Sequence, residues 1–277
     1  MTLSVRNNFF RGGICISVLS LVLICLGGYL SYSGFSEAAS SAILRSGGVI
    51  QNLITRSIPP SDMVPFIVMV FSAVYSLVSI FLIFFNFEKT QAPEILFIAF
   101  FVLSLSFEIT RIMLPLQLIH SFPVLYVTFS ARILLFARYF GIFSLFAAGV
   151  YAAGLDIQNQ LNAFFLMVLA SLVIAVNIPV NALVWDSSFK MMNGYGSMLS
   201  MVEIGVIIIT IITFFISAYT RGANTFVLVG IGVFMIFIGR NILITSDNYL
   251  SMALGVLLLT AGTCLTVIKL HKEYLWS

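Results

Sequence analysis

The sequence predicts an all-α polytopic membrane protein in which eight transmembrane helices form one bundle. Of its 277 residues, 61% are hydrophobic and only 8% are charged. A soluble domain carries about 25% charged residues, so this composition disfavours a soluble fold. Apolar runs of about 20 residues recur along the chain, and each is long enough to cross a hydrocarbon core of about 30 Å as a helix.

The first predicted span covers residues 13–32 and follows two arginines, Arg6 and Arg11. Basic residues followed by an apolar core are typical of an uncleaved signal anchor. We therefore expect residues 1–33 to form an N-terminal signal-anchor helix. A cleaved secretory signal is the alternative, because the sequence 36–39 resembles a cleavage region. The apolar core of about 17 residues is longer than that of a typical signal peptide and favours the anchor.

Residues 34–62 form the longest polar stretch and are expected to lie outside the membrane. They include an amphipathic portion, residues 42–58, that ends at Pro59 and Pro60 because proline lacks the amide proton that a helix requires. We interpret this portion either as a segment along the membrane surface or over the mouth of the bundle, or as a plain connector.

Seven further spans form the expected transmembrane core, residues 63–270, and a short tail occupies residues 271–277. A loop rich in Gly, Ser and Asn is predicted at residues 186–197, between the fifth and sixth spans. The predicted ranges of the seven spans are 63–85, 95–118, 125–151, 161–185, 198–219, 225–244 and 249–270.

The basic residues of the short loops predict the orientation of the bundle, because cytoplasmic loops carry an excess of Lys and Arg. With a cytoplasmic N-terminus, the inside loops hold six such residues and the outside loops hold three: Arg6, Arg11, Lys89, Arg221, Lys269 and Lys272 inside, and Arg45, Arg56 and Lys190 outside. The sequence therefore predicts a cytoplasmic-type cell membrane, with both termini cytoplasmic if the first helix is retained.

Polar side chains inside the spans carry the functional prediction, since a charge in hydrocarbon costs several kcal/mol unless it finds a partner or water. Counting residues from the span ends at about 1.5 Å per residue places such groups from five helices in the outer part of the bundle. Arg138 is expected nearer the inner third, where its side chain would snorkel to the cytoplasmic face. The candidate site consists of Glu108, Arg111, Arg132, Asn177, Asn181, Glu203, Arg240 and Asn241.

This candidate site has two interpretations, and both stay open at the level of sequence. The first is an outward-opening pocket for a small anionic ligand, because arginine pairs well with carboxylate or phosphate where water is scarce. The second is a set of buried ion pairs, Glu108 with Arg132 and Glu203 with Arg240, that fixes the register of the helices. The two interpretations are compatible with each other.

Catalytic chemistry is not predicted. The two histidines, His120 and His271, fall on opposite sides of the membrane, and the sequence contains no H-E-x-x-H, G-x-S-x-G or P-loop pattern. The three cysteines have no metal-binding spacing, and no Lys/Arg cluster suggests a nucleic-acid partner. We therefore expect no catalytic residue, no metal and no cofactor.

The lipid bilayer is the first expected partner of the chain. Two functional hypotheses arise for it. The leading one is a non-enzymatic membrane receptor or accessory signalling subunit, which takes a small-molecule ligand from outside and touches a cytoplasmic protein partner through Glu88, Lys89, Arg221 or the tail. In layout alone, one leading helix before a seven-helix core resembles the seven-helix sensory modules of bacterial signalling proteins. The alternative is a transporter or channel subunit for a small anionic solute, which requires a polar path that continues inward.

Overall fold

The structure is a computed structural model that describes residues 3–42, 59–87, 92–154 and 160–276. It confirms the predicted all-α bundle, because eight of its helical segments are long and apolar enough to cross a membrane. The chain is thus a multi-pass membrane protein. Its elements are α1 (Leu3–Ser31), α2 (Gly34–Ser40), α3 (Val64–Phe87), α4 (Pro93–Leu105), a 3₁₀ segment η1 (Ser106–Ile112), α5 (Met113–His120), α6 (Val124–Ala152), α7 (Gln160–Asn177), β1 (Val180–Trp185), β2 (Met191–Asn193), α8 (Gly196–Arg221), α9 (Thr225–Ile244) and α10 (Tyr249–Trp276).

Successive spans alternate in direction, so the bundle has two distinct ends. One end, here called the hairpin end, carries α2 and the two strands. There the Ser61 amide donates to the Asp247 carbonyl at 2.8 Å. The opposite end, here called the terminus end, carries the start of α1 and the end of α10, and Thr225 Oγ1 donates to Glu273 Oε2 there at 2.7 Å.

The third span is built from three consecutive helical pieces, α4, η1 and α5. Proline at position 115 has no amide proton and its ring conflicts with the carbonyl four residues earlier, which belongs to Arg111. The backbone before it therefore winds more tightly, and the Met113 amide bonds back toward the Thr110 and Arg111 carbonyls. This is the reason for a 3₁₀ segment in the middle of a span.

The fifth span is shorter than the sequence predicted, and a β-hairpin comes directly after it. The predicted range 161–185 is wrong beyond Asn177, where α7 ends two residues before Pro179. The apolar stretch Val180–Trp185 forms β1 instead and pairs antiparallel with β2. The residues of β1 are as hydrophobic as those of a membrane span, which is why the sequence predicted a longer helix here.

Two further boundaries differ from the predictions. Gly34–Ser40 in the expected polar stretch is helical, and α10 continues through the expected tail to Trp276. Residues 43–58, which make up nearly all of the predicted amphipathic portion, lie outside the described residues. The leading helix α1 packs against α3, where Ser17 Oγ and Ser76 Oγ lie 3.1 Å apart, so it is an integral wall of the bundle.

Helices α9 and α10 pack closely against each other, and glycine allows it. A Cβ atom added to Gly239 would lie 2.5 Å from the Leu259 amide nitrogen, and one added to Gly262 would lie 2.7 Å from the Gly232 carbonyl oxygen. Small residues let helix backbones approach closely in membranes, where van der Waals contact drives association. The α9–α10 contact is therefore a backbone-to-backbone contact.

Candidate functional site

The first part of the site is an ion pair within η1. Arg111 Nε donates to Glu108 Oε2 at 2.7 Å, and both residues are only 3% exposed. In a 3₁₀ segment the side chains at positions i and i+3 eclipse each other. The tight winding imposed before Pro115 thus brings a carboxylate and a guanidinium together on one face. The sequence paired Glu108 with Arg132, and this pairing is wrong.

Arg111 also joins two other elements. Its Nη1 donates to the Ser188 carbonyl and to the Ile244 carbonyl, both at 3.0 Å. Ile244 is the last residue of α9, and the last carbonyls of a helix lack partners within the helix and favour a nearby cation. Ser188 belongs to the hairpin loop. One buried guanidinium therefore connects the third span, the hairpin and the end of α9.

The loop of the hairpin, residues 186–190, is a compact turn organised by Asp186. Its Oδ1 accepts bonds from the Ser188 amide, the Ser188 hydroxyl and the Lys190 amide at 2.7–3.0 Å. Phe189 has φ of 61°, the left-handed conformation that such a turn demands. Ser188 is fully buried and Phe189 is 1% exposed. The loop is therefore inserted into the bundle rather than extended into the surroundings.

Contacts from α2 and from the α9–α10 connection hold the hairpin in place. The Phe189 ring stacks on Phe35 of α2, with ring centroids 6.0 Å apart and 15° between planes. Trp185 Nε1 donates to the Ala38 carbonyl at 3.0 Å, and Ser187 Oγ donates to Asp247 Oδ2 at 3.0 Å. The hairpin, α2 and the α9–α10 connection thus form one layer across the hairpin end.

A second ion pair lies beneath this layer, between α6 and α8. Arg138 binds Glu203 with two bonds, Nη2 to Oε2 and Nε to Oε1, each 2.6 Å. This bidentate geometry is the strongest form of arginine–carboxylate pairing. The sequence assigned Glu203 to Arg240 and Arg138 to the inner third. That assignment is wrong because helical side chains lean toward the helix N-terminus, which for α6 lies at the hairpin end.

Arg240 is the most isolated charge of the site. It is 3% exposed, its Nη2 donates to the Arg138 carbonyl at 3.2 Å, and its guanidinium lies 5.8 Å from the centroid of the Phe101 ring. Among the described residues its Nε has no hydrogen-bond partner. No described carboxylate lies within ion-pair distance of it. Its charge therefore stays uncompensated by direct contact.

Lys190, at the end of the hairpin loop, is a second cation without a contacting carboxylate among the described residues. The neighbouring Arg138 cation and burial lower its pKa to about 8, and the carboxylates of Asp186 and Glu203 offset part of this effect. Lys190 and Arg138 line one side of a cavity of about 20 Å³. A second cavity of about 10 Å³ lies beside Arg111.

Half of the residues proposed from the sequence meet in this cluster. Glu108, Arg111, Glu203 and Arg240 are buried at its centre. The other four do not join it, because Arg132, Asn177 and Asn181 are exposed and Asn241 is half-buried with no side-chain bond to the described residues. Asn177 binds the Val173 carbonyl of its own helix, and Asn181 Oδ1 accepts from the Leu183 amide of its own strand.

Sequence reasoning missed the hairpin's contribution and Asp247. The run Asp-Ser-Ser at 186–188 was the available signal, since an Asp side chain binds the backbone two residues on in Asx-turns. In the part of the chain that the structure describes, no group of three His, Cys, Asp or Glu side chains is arranged to hold a metal ion.

Comparison with protein families, curated proteins and solved structures found no match to this chain. The geometry of the site is therefore the basis for a functional proposal.

Proposed function

We propose that the chain is a non-enzymatic membrane receptor or accessory signalling subunit. Its arginine-centred polar layer would couple the hairpin to the transmembrane helices. The observation that supports this proposal is the position of Arg111, which binds Glu108 in the third span, Ser188 in the hairpin and Ile244 at the end of α9. A change in the seating of the hairpin would thereby act on two spans at once.

The small cavities of the layer favour this function over solute transport. The cavities beside Arg111 and Arg138 measure about 10 and 20 Å³, and about 10–15 Å³ is needed for a single water. Toward the terminus end, the largest cluster of buried hydrophobic residues occupies the bundle, and Phe97, Leu145 and Phe214 are among its fully buried members. A transporter would require a polar path through that cluster.

The first test asks whether Arg111 couples the hairpin to the transmembrane helices. Spin labels at Met192→Cys and Leu250→Cys, with Cys15, Cys25 and Cys264 replaced by Ser, report the distance from the hairpin to the α9–α10 connection. We expect Arg111→Gln to broaden this distance distribution. The matched control is Arg132→Gln, which removes an exposed arginine and should leave the distribution unchanged.

Proteoliposomes containing the unlabelled chain are assayed in parallel for uptake of inorganic phosphate, glutamate and chloride. The receptor proposal expects uptake no faster than in protein-free liposomes. Protein-dependent uptake of any of these anions would favour the transporter alternative. An unchanged spin-label distance in Arg111→Gln would show that the layer does not couple the hairpin to the spans.

The proposal includes a location and a side for the partner. The basic residues favour a cytoplasmic-type membrane with the terminus end in the cytoplasm, and the length of the apolar core of α1 favours its retention. A protein partner would then contact the terminus end, where the Arg221 side chain is 35% exposed. Glu88 and Lys89, also proposed as partner contacts, lie outside the described residues. A membrane-impermeant maleimide applied to intact cells should label Tyr195→Cys and spare Tyr219→Cys, and the reverse pattern would overturn this orientation.

A further inference from the structure

The cavity between α6 and the hairpin is lined by positive groups. Arg138 and Lys190 contribute cations and Asn193 contributes an amide, while the remaining lining residues, Ala131, Leu134, Leu135 and Met191, are apolar. None of these described lining residues is acidic. Such a small cavity with cations on its wall is a favourable place for negative charge.

The carboxylates near this cavity are already engaged. Glu203 uses both oxygens on Arg138, and Asp186 Oδ1 accepts three bonds within its own loop. No ion pair joins the Lys190 ammonium to a carboxylate of the described residues, although Asp186 and Glu203 lie close enough to attract it. Arg240, which donates to the carbonyl of Arg138 itself, adds a further buried positive charge.

We propose that this cavity binds one monatomic anion, chloride under physiological conditions, between Lys190 and Arg138. The inference deepens the proposed function in that it assigns a ligand class to the same polar layer. Asn193 would donate its side-chain amide to the ion. Because β2 carries Asn193 and the loop carries Lys190, the anion would hold the hairpin against α6.

Size and charge together select a monatomic ion. A cavity of about 20 Å³ accommodates one water-sized particle, which suits a monatomic ion better than a carboxylate or a phosphate. Two cations held close together repel each other in a medium of low dielectric constant, and an anion between them converts that repulsion into attraction. The occupant would therefore stabilise the seated hairpin by reducing the part of the Lys190–Arg138 repulsion that Glu203 and Asp186 leave uncompensated.

Thermal unfolding of the purified chain in detergent tests the inference, with the intrinsic fluorescence of Trp185 and Trp276 as the readout. Sodium chloride, sodium bromide and sodium gluconate are compared at equal ionic strength, since gluconate is too large for the cavity. We expect the melting temperature in chloride or bromide to exceed that in gluconate by about 2 °C or more. Lys190→Met should abolish the difference, and Lys190→Arg should preserve it.

The matched control is Lys269→Met, which removes a lysine at the terminus end and should keep the halide effect. Line broadening of the chloride NMR signal provides a second measurement, which does not depend on the stability of a variant. The broadening should be lost in Lys190→Met.

Equal melting temperatures in all three salts, with no line broadening, would show that the cavity holds only water. A halide effect that survives in Lys190→Met would place the ion elsewhere and also overturn the inference. Either result leaves the proposed receptor function standing, because that function depends on the Arg111 distance measurement. Conversely, chloride flux in proteoliposomes would overturn the receptor function and leave a Lys190 site intact.

Discussion

The α9–α10 contact and the hairpin contact hold the same bundle together by opposite means. Gly239 and Gly262 bring two backbones into direct contact, so that interface depends on the absence of side chains. Two directed bonds hold the hairpin loop: Arg111 donates to the Ser188 carbonyl, and the Ser187 hydroxyl donates to Asp247. The first interface is chiefly backbone packing, whereas the second adds several separate polar bonds to the apolar packing of Phe189 on Phe35.

This difference determines which part of the molecule can change state. Close-packed interfaces respond to a defect as a whole, since interiors pack at high density and relax only partially. A polar layer can lose one bond and keep the others, and a buried charge that loses its partner favours a rearrangement. We therefore expect α9 and α10 to move as a unit and the hairpin to be the adjustable element.

The largest effect should come from breaking the α6–α8 ion pair. Glu203→Ala leaves Arg138 without its carboxylate beside Arg240 and Lys190, and unpairing a buried ion costs about 3–5 kcal/mol. Chemical unfolding in detergent measures the loss. Glu37→Ala, which removes an exposed acid of α2, is the control and should change stability little. A loss in Glu203→Ala as small as in the control would mean that the pair contributes nothing to stability.

Crowding the glycine contact should have the next largest effect. Gly239→Ala places a methyl group against the Leu259 backbone, and overpacking of this kind costs about 1–3 kcal/mol. Gly205→Ala on α8 is the matched control, because a Cβ there meets nothing within 4 Å and alanine is the better helix former. If both variants unfold at the same denaturant concentration, the close α9–α10 approach is not a source of stability.

Weakening the hairpin contact should have a smaller and more local effect. Arg111→Lys keeps the charge but loses the planar guanidinium that reaches Glu108, Ser188 and Ile244 at once. We expect the free energy of unfolding to fall by about 1.5 kcal/mol. Hydrogen exchange followed by mass spectrometry should show faster exchange in the loop 186–190. Exchange in α9 and α10 should stay as in the parent chain except at the end of α9, where Arg111 binds the Ile244 carbonyl. Faster exchange throughout the bundle would contradict the separation of the two regions.

The smallest effect should be a pH dependence that belongs to Lys190, because this residue is only half-buried and solvent screens its charge. Its pKa is lowered from 10.5 to about 8, by Arg138 and burial and less by Arg111, against the attraction of Asp186 and Glu203. Between pH about 8 and 10.5 the unfolded chain binds more protons than the folded chain, so stability rises with pH in that window. Measured in gluconate, this rise should be missing from Lys190→Met. An identical pH profile in both proteins would show that the lysine titrates normally.

The eight spans could be predicted from sequence because each needs only length and apolar composition. The hairpin could not, since Val180–Trp185 is as apolar as a span and only Pro179 indicates a break. The ion pairs were mispredicted for a related reason. Depth counted along helices treats all spans as starting at one level, and it ignores the length and lean of arginine side chains. Arg138 and Glu203 were predicted at different depths in the membrane, yet the long arginine side chain reaches the carboxylate.

The 3₁₀ segment in the third span has a mechanical consequence. Its seven residues turn by about 120° each instead of about 100°, and they rise by about 2.0 Å instead of about 1.5 Å. The segment Met113–His120 is therefore rotated by about 140° relative to an uninterrupted helix, and the span is about 3.5 Å longer. The bond between Glu108 and Arg111 adds a second constraint on this tight winding to the one that Pro115 imposes. Loss of the charge pairing would weaken that constraint, and any relaxation of the segment toward an α-helix would twist everything attached to its far end.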